Sequence, residues 1–161
     1  MNDVLYIVIP AYNEEENIGR TVSQWYSVVE SHDGCGKSAL VIVNDGSTDD
    51  TWRQLQELAK TRPLMIPLAK ENEGHGPTLI YGYNYALEAG ADWVFQTDPD
   101  GQTDPYEFSA FWDSRHDYDA QFGNRTERGD GKDRAFVERT LCRILHLFLG
   151  YGFQMRMRHS A

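Results

Sequence analysis

Apolar runs without polar interruption recur along this 161-residue chain, each followed by a stretch with helical spacing. Val4–Ile9 is the cleanest of them, six consecutive apolar or aromatic residues stopped by Pro10. A strand with one face in water alternates apolar and polar side chains, whereas an unbroken run is buried on both faces. Strands of that kind, separated by helices, form a mostly parallel sheet covered by helices.

The rest of the chain keeps the alternation. Asn13 with Glu16 reads as a capping box for a helix whose buried stripe is Ile18, Val22, Trp25 and Val29. After a turn at Asp33–Ser38, Ala39–Val43 is a second strand. Ser47, with Asp50 three residues on, starts a helix bearing Trp52, Leu55 and Leu58. Leu64–Leu68 is a weak third strand, which Pro63 and Pro67 restrict to an edge or a short piece. Pro77 suits the first turn of a helix packing Ile80, Tyr83 and Leu87, and Gly90 closes it. A fourth strand at Asp92–Thr97 and a helix opened by Asp104-Pro105 follow, the latter carrying Phe108, Phe111 and Trp112. Ala120–Gly123 is a fifth strand, 124–133 a polar loop, and 134–149 a last helix. No repeat or linker interrupts this pattern, and 161 residues fit a single domain.

Parallel sheets bind ligands beyond the carboxyl ends of their strands. Three polar clusters fall at that edge: Pro10–Glu14, Asn44–Thr48 and Asp98–Gln102. Asp98 and Asp100, two residues apart at a strand exit, are a costly like-charge pair unless a cation relieves them. A hard divalent ion suits carboxylate oxygens and would also hold a diphosphate. The bland reading is two consecutive turns, Asp-Pro and Asp-Gly. Asp45, with Gly46 behind it, can accept hydrogen bonds from a base or a ribose, while Ser47 caps a helix. Tyr12 can stack and Glu14 can accept, although a strand end plus a cap accounts for both. His75 lies in a Gly-His-Gly loop where solvation alone explains a lone histidine.

Charge is distributed unevenly. The formal net charge is −10, which argues against a nucleic-acid partner. Residues 1–113 carry a net −13 and residues 114–161 a net +3. Arg125, Arg128, Lys132, Arg134 and Arg139 gather around the 124–133 loop, where a guanidinium can pair bidentately with phosphate. Arg125, directly after a strand, is the best placed. The longest apolar stretches fall short of the roughly 18 residues a membrane-spanning helix needs. The start, Met1-Asn2-Asp3, lacks a secretory pattern, and Cys35 and Cys142 read as reduced thiols of a cytoplasmic protein.

Three segments together resemble family 2 glycosyltransferases with the GT-A fold. They are Ile7-Val8-Ile9-Pro10-Ala11-Tyr12-Asn13-Glu14, Val41-Ile42-Val43-Asn44-Asp45-Gly46-Ser47-Thr48-Asp49 and Asp98-Pro99-Asp100-Gly101-Gln102. The resemblance runs from residue 4 to about residue 150. Within the family, the Asp-Pro-Asp-Gly-Gln form and Gly123-Asn124-Arg125 are most similar to the polyprenol-phosphate sugar transferases. It implies an α/β, three-layer fold and inverting transfer from a UDP- or GDP-linked sugar to a polyprenyl phosphate or a growing glycan. Pro10, Tyr12, Glu14 and Asp45 would hold the nucleoside. Asp98 and Asp100 would bind Mg2+ or Mn2+ on the diphosphate, with Gln102 beside them. Arg125, with Arg134, would meet the diphosphate or an acceptor phosphate, making Asp100 and Arg125 the expected catalytic groups.

Family members usually continue into a further acidic residue or a Gly-Phe-Arg segment, whereas the final stretch of this sequence holds Gly152-Phe153-Gln154-Met155-Arg156-Met157-Arg158. C-terminal truncation, a short natural form and a partner-dependent half are all open at this point. Leu141, Ile144, Leu145, Phe148 and Leu149, flanked by Arg139, Arg143, Arg156 and Arg158, suit a helix on the inner face of an anionic membrane, or one packed on the sheet. Two rival functions are a nucleotide-sugar-binding domain without turnover and an Asp-x-Asp phosphohydrolase. The latter needs a lysine and a distant acidic pair, for which only Lys132, Asp130 and Asp133 are available.

Overall fold

A computed structural model describes residues 3–101, 103–125 and 155–160, the last six and residues 124–125 by their backbone. It is an α/β structure whose residues fall into two compact units, 1–105 and 106–161.

The first unit is built on a four-stranded parallel sheet in the order β3-β2-β1-β4. Its strands are β1 (Leu5–Ala11), β2 (Ala39–Asp45), β3 (Met65–Lys70) and β4 (Trp93–Gln96), alternating with helices α1 (Ile18–His32), α2 (Thr51–Ala59) and α3 (His75–Glu88). Every residue of β1 and β2 is buried. Ile7, Val8 and Ile9 have no exposed surface, each burial contributing about 1.5–3 kcal/mol. Tyr6, Val8, Val41 and Val43 pack with Ala86 of α3 on one face. On the other, Trp25 of α1 lies against Phe95 of β4 at 5.3 Å between ring centroids. Of the two placements that Pro63 and Pro67 allow, β3 takes the edge of this sheet.

Three local expectations are corrected. First, α1 starts at Ile18 with no side-chain cap. Asn13 instead adopts φ +54° and accepts a hydrogen bond from the Thr48 amide across the sheet edge. Second, α2 starts at Thr51 rather than near Ser47, because the Ser47 hydroxyl is used by the Asn13 amide. Third, the buried face of α3 is Thr78, Gly82 and Ala86, while Ile80 and Leu87 are exposed. Small residues win that face because the helix lies so close to the sheet. A Cβ on Gly82 would stand 2.5 Å from Val8 Cγ1 and 3.2 Å from Val43 Cγ2. Gly90, at φ +84°, closes the helix as expected.

In the second unit, α4 (Phe108–Asp113) follows a single 3-10 turn at Pro105–Glu107. Phe108 is buried and stacks on Trp112. The Gln121 side chain donates to the Phe111 carbonyl and accepts from the Ser114 hydroxyl, which fastens β5 (Ala120–Arg125) to α4. The expected fifth strand is thus present and two residues longer. It pairs in parallel with β6 (Met155–Ser160), where the sequence reading placed no element. The expected loop after Arg125 and the helix over 134–149 lie outside the described residues.

Replacing Gly82 by alanine sets a helix-propensity gain of about 1 kcal/mol against overpacking of about 1–3 kcal/mol. At 2.5 Å from a fully buried valine the clash should dominate. Gly82→Ala is expected to lower the urea midpoint, and an unchanged or raised midpoint contradicts the close approach of α3.

Candidate functional site

The exits of β1, β2 and β4 meet where the parallel sheet requires, at its carboxyl edge. There they line a cleft of about 470 Å3. Pro10, Ala11, Tyr12 and Glu14 come from the first exit, Asp45 from the second, and Asp98, Pro99 and Asp100 from the fourth strand. The start of α3 supplies the remaining wall with Asn72, Gly74, His75 and Thr78. Tyr12 is 49% exposed, so its ring is available for stacking.

Reciprocal bonding fixes the first two loops to each other. The Asn13 amide donates to Ser47 Oγ, and Asn13 Oδ1 accepts from the Thr48 amide at 2.8 Å. The Glu14 amide donates to Thr51 Oγ1 at 2.8 Å and the Glu15 amide to Asp49 Oδ2. In return the Asp50 amide and the Gln54 side chain donate to Glu15. Asn13, Glu15 and Asp49 thus each satisfy an amide at the head of the neighbouring segment. Tyr12 and Glu14 therefore ride on a braced loop.

Asp45 is nearly buried, and the surrounding groups use most of its acceptor capacity. Oδ1 accepts from Lys70 Nζ at 2.8 Å and from the Glu73 amide, and Oδ2 from the Gly74 amide at 2.9 Å. Burial opposes its charge most strongly. The Lys70 ammonium, the Glu73 amide, the Thr78 hydroxyl and the Gly74 amide together outweigh that cost and hold the carboxyl below the usual carboxylate range. Lys70 also reaches Glu73 at 2.8 Å. Burial would lower its affinity for a proton, but the two carboxylates raise it further. Gly46 allows this turn to close. At φ +64° a Cβ there would stand 2.8 Å from the Asn72 nitrogen. Asp45 thus anchors the 70–74 turn as well as facing the cleft.

Asp98 accepts a hydrogen bond from the Gln96 side chain at 3.1 Å, and His75 Nε2 lies 4.0 Å from the same oxygen. Burial, assisted by the negative charge of Asp98, pushes the Tyr83 hydroxyl above its ordinary value. Among the described residues no group of three or more His, Cys, Asp or Glu side chains forms a complete metal cage. Six of the expected residues, Pro10, Tyr12, Glu14, Asp45, Asp98 and Asp100, line one cleft. Gln102 and Arg134 lie outside the described residues, and Arg125 is described only as the last backbone position of β5. Lys70, Asn72 and Thr78 were not foreseen. Their signal was a lysine ending an edge strand, followed by Glu-Asn-Glu-Gly and a helix start.

The sequence profile of glycosyl transferase family 2 matches residues 6–159. The chain is 29% identical over 110 residues to polyprenol monophosphomannose synthase of Mycolicibacterium smegmatis, spanning 67% of this chain and 39% of that protein. It is 32% identical over 115 residues to the UDP-N-acetylglucosamine--dolichyl-phosphate N-acetylglucosaminyltransferase of Methanococcus voltae, spanning 63% and 43% respectively. Among solved structures it resembles glucosyl-3-phosphoglycerate synthase from Mycobacterium tuberculosis, in complex with Mn2+, UDP and phosphoglyceric acid. The TM-score is 0.62 at 21% identity, over 94% of this chain and 52% of that one. That likeness is one of fold, the GT-A fold. The chain spans about two fifths of the length of these curated relatives.

The Asp45 environment has a measurable acid signature. A carboxyl whose folded pKa is lowered contributes stability that is complete above its unfolded value, about pH 4. That contribution is lost as the pH falls through the lower folded value. The stability difference between wild type and Asp45→Asn, read from urea melts, should hold steady from about pH 7 to 5 and shrink below about pH 4. A difference that grows on acidification contradicts the assignment.

Proposed function

The chain belongs to glycosyl transferase family 2, and on that premise we propose that it binds a nucleoside-diphosphate sugar in the 470 Å3 cleft and donates the sugar to a polyprenyl phosphate. The observation that carries this reading is the convergence of Tyr12, Asp45, Asp98 and Asp100 on one cleft at the carboxyl edge of a parallel sheet. A stacking ring, buried acceptors and an acidic pair are what a base, a ribose and a metal-bridged diphosphate each need. The dolichyl- and polyprenol-linked names of the relatives favour a lipid phosphate as acceptor.

The donor set fits a hard divalent ion such as Mg2+ or Mn2+. Asp98 and Asp100 offer carboxylate oxygens on one wall, and two protein ligands leave positions for diphosphate oxygens and water, as is usual for magnesium at phosphate sites. When bound, such an ion neutralises charge on the departing nucleoside diphosphate. Pro10 and Tyr12 bracket the base, and Glu14 accepts hydrogen bonds from the nucleoside. Asp45 holds the turn that carries Asn72 and Gly74 against it. Arg125 supplies a guanidinium for phosphate, and Gln102 a neutral contact beside the acidic pair.

In the transfer, an acceptor phosphate oxygen forms a bond to the anomeric carbon while the bond from that carbon to the diphosphate breaks, inverting the centre. A phosphate acceptor is already anionic and needs no strong general base, whereas a glycan hydroxyl would. Among the described residues no helix is long and apolar enough to cross a membrane. The proposed encounter with a lipid acceptor is at the cytoplasmic face, through the basic-apolar stretch over 134–149.

Calorimetric titration with UDP and GDP, with and without Mn2+, tests this reading. One nucleotide should bind more tightly with Mn2+, and Asp100→Ala should remove at least about tenfold of that affinity, roughly 1.4 kcal/mol. Sugar transfer to a polyprenyl phosphate separates a transferase from a donor-binding domain. An Asp100→Ala variant with unaltered Mn2+ dependence, or rapid hydrolysis of simple phosphate monoesters by wild type, would contradict it.

A further inference from the structure

The acidic loop at the exit of β4 is fastened from its far side by α1. Thr21, 1% exposed, donates its hydroxyl to the Pro99 carbonyl at 2.8 Å across 78 residues of sequence. Proline has no amide hydrogen, so that carbonyl is the one main-chain hydrogen-bonding group of the residue between the two aspartates. Helical Ser and Thr hydroxyls commonly bond back to the carbonyl four residues earlier. In this same helix Ser23 bonds back to Gly19 and Ser27 to Ser23, both at exposed positions. Thr21 does not follow them, and its hydroxyl serves the loop.

At two neighbouring points α1 also lies close to the same segment. Trp25, one turn on from Thr21 and 2% exposed, packs on Phe95 of the strand that feeds the loop. On the other side of Asp100, Gly101 has φ +71°, and a Cβ there would stand 2.7 Å from Arg20 Nη2. Residues 95, 99 and 101 thus each meet α1, while Asp98 and Asp100 line the cleft.

We propose that Thr21 is a positioning residue: through the Pro99 carbonyl its hydroxyl aims the Asp98 and Asp100 carboxylates at a divalent cation. This rests on the reading that those carboxylates hold the ion, and it adds that their geometry is set from α1 rather than by the loop itself. Groups that orient metal ligands from outside typically change metal affinity about 10- to 100-fold when removed.

The test compares wild type with Thr21→Val, which keeps the shape and loses the hydroxyl, and Thr21→Ser, which keeps the hydroxyl. Affinity for UDP and for GDP is measured with and without Mn2+, alongside thermal melts, and the nucleotide that wild type binds is the one compared. Thr21→Val should bind that nucleotide without metal within about twofold of wild type, yet lose about tenfold or more of the Mn2+ enhancement. Thr21→Ser should restore it. If Thr21→Val does not fold, Thr21→Ala against Thr21→Ser carries the same comparison. A Thr21→Val protein with wild-type Mn2+ enhancement overturns the proposal and leaves the proposed function standing. So does one whose affinity falls by the same factor with and without metal. Wild type without Mn2+-enhanced binding of UDP or GDP overturns the functional reading, and this inference with it.

Discussion

Burial of β1 on both faces governs everything built around it. A strand without a solvent face can be flanked by parallel neighbours only if the chain returns each time through a helix. Each return delivers the next strand exit to the same edge of the sheet. With β2 on one side of β1 and β4 on the other, the loops after Ala11, Asp45 and Gln96 have no other place to go. The polar clusters converge as a consequence of topology, and the cleft follows from the core.

Convergence brings an electrostatic problem with it, since Glu14, Asp45, Asp98 and Asp100 all face one space. The molecule treats its carboxylates differently. Asp45 is neutralised within the fold by Lys70 and by two amides at the start of α3. Glu15, Asp49 and Asp50 spend their acceptors on amides of opposing loops and on Arg53. Asp98, with 42% of its side chain exposed, receives a neutral amide hydrogen bond and stands 4.0 Å from a histidine. No lysine or arginine among the described residues is paired with it, in contrast to Asp45, and the reading of a cation-binding pair falls on this loop.

Legibility followed hydrophobic contrast. Val4–Ile9 and Ala39–Val43 could be read at once because nothing polar interrupts them, and the positions of Tyr12 and Asp45 follow directly from those strands. The face of α3 could not be read the same way. Weighting by hydrophobicity selects Ile80 and Leu87, whereas contact distance selects Gly82 and Ala86. Asn13 and Ser47 have the composition of helix caps, but their partners lie 34 and 35 residues away, and local spacing carries no trace of that. Lys70 is hard to read from the sequence because two prolines make β3 a weak strand and leave its exit without a hydrophobic marker. The period-two alternation of Met155-Arg156-Met157-Arg158 was a legible strand signal that the basic-apolar reading obscured.

The proposed function requires a diphosphate between the loop that carries Tyr12 and the loop that carries Asp98 and Asp100. A crystal structure determined with UDP and Mn2+ is the test. It should show the base against Tyr12, the manganese on oxygens of the 98–100 loop and the diphosphate between them. Nucleotide and metal bound elsewhere on the molecule, with this cleft filled by solvent alone, would contradict it.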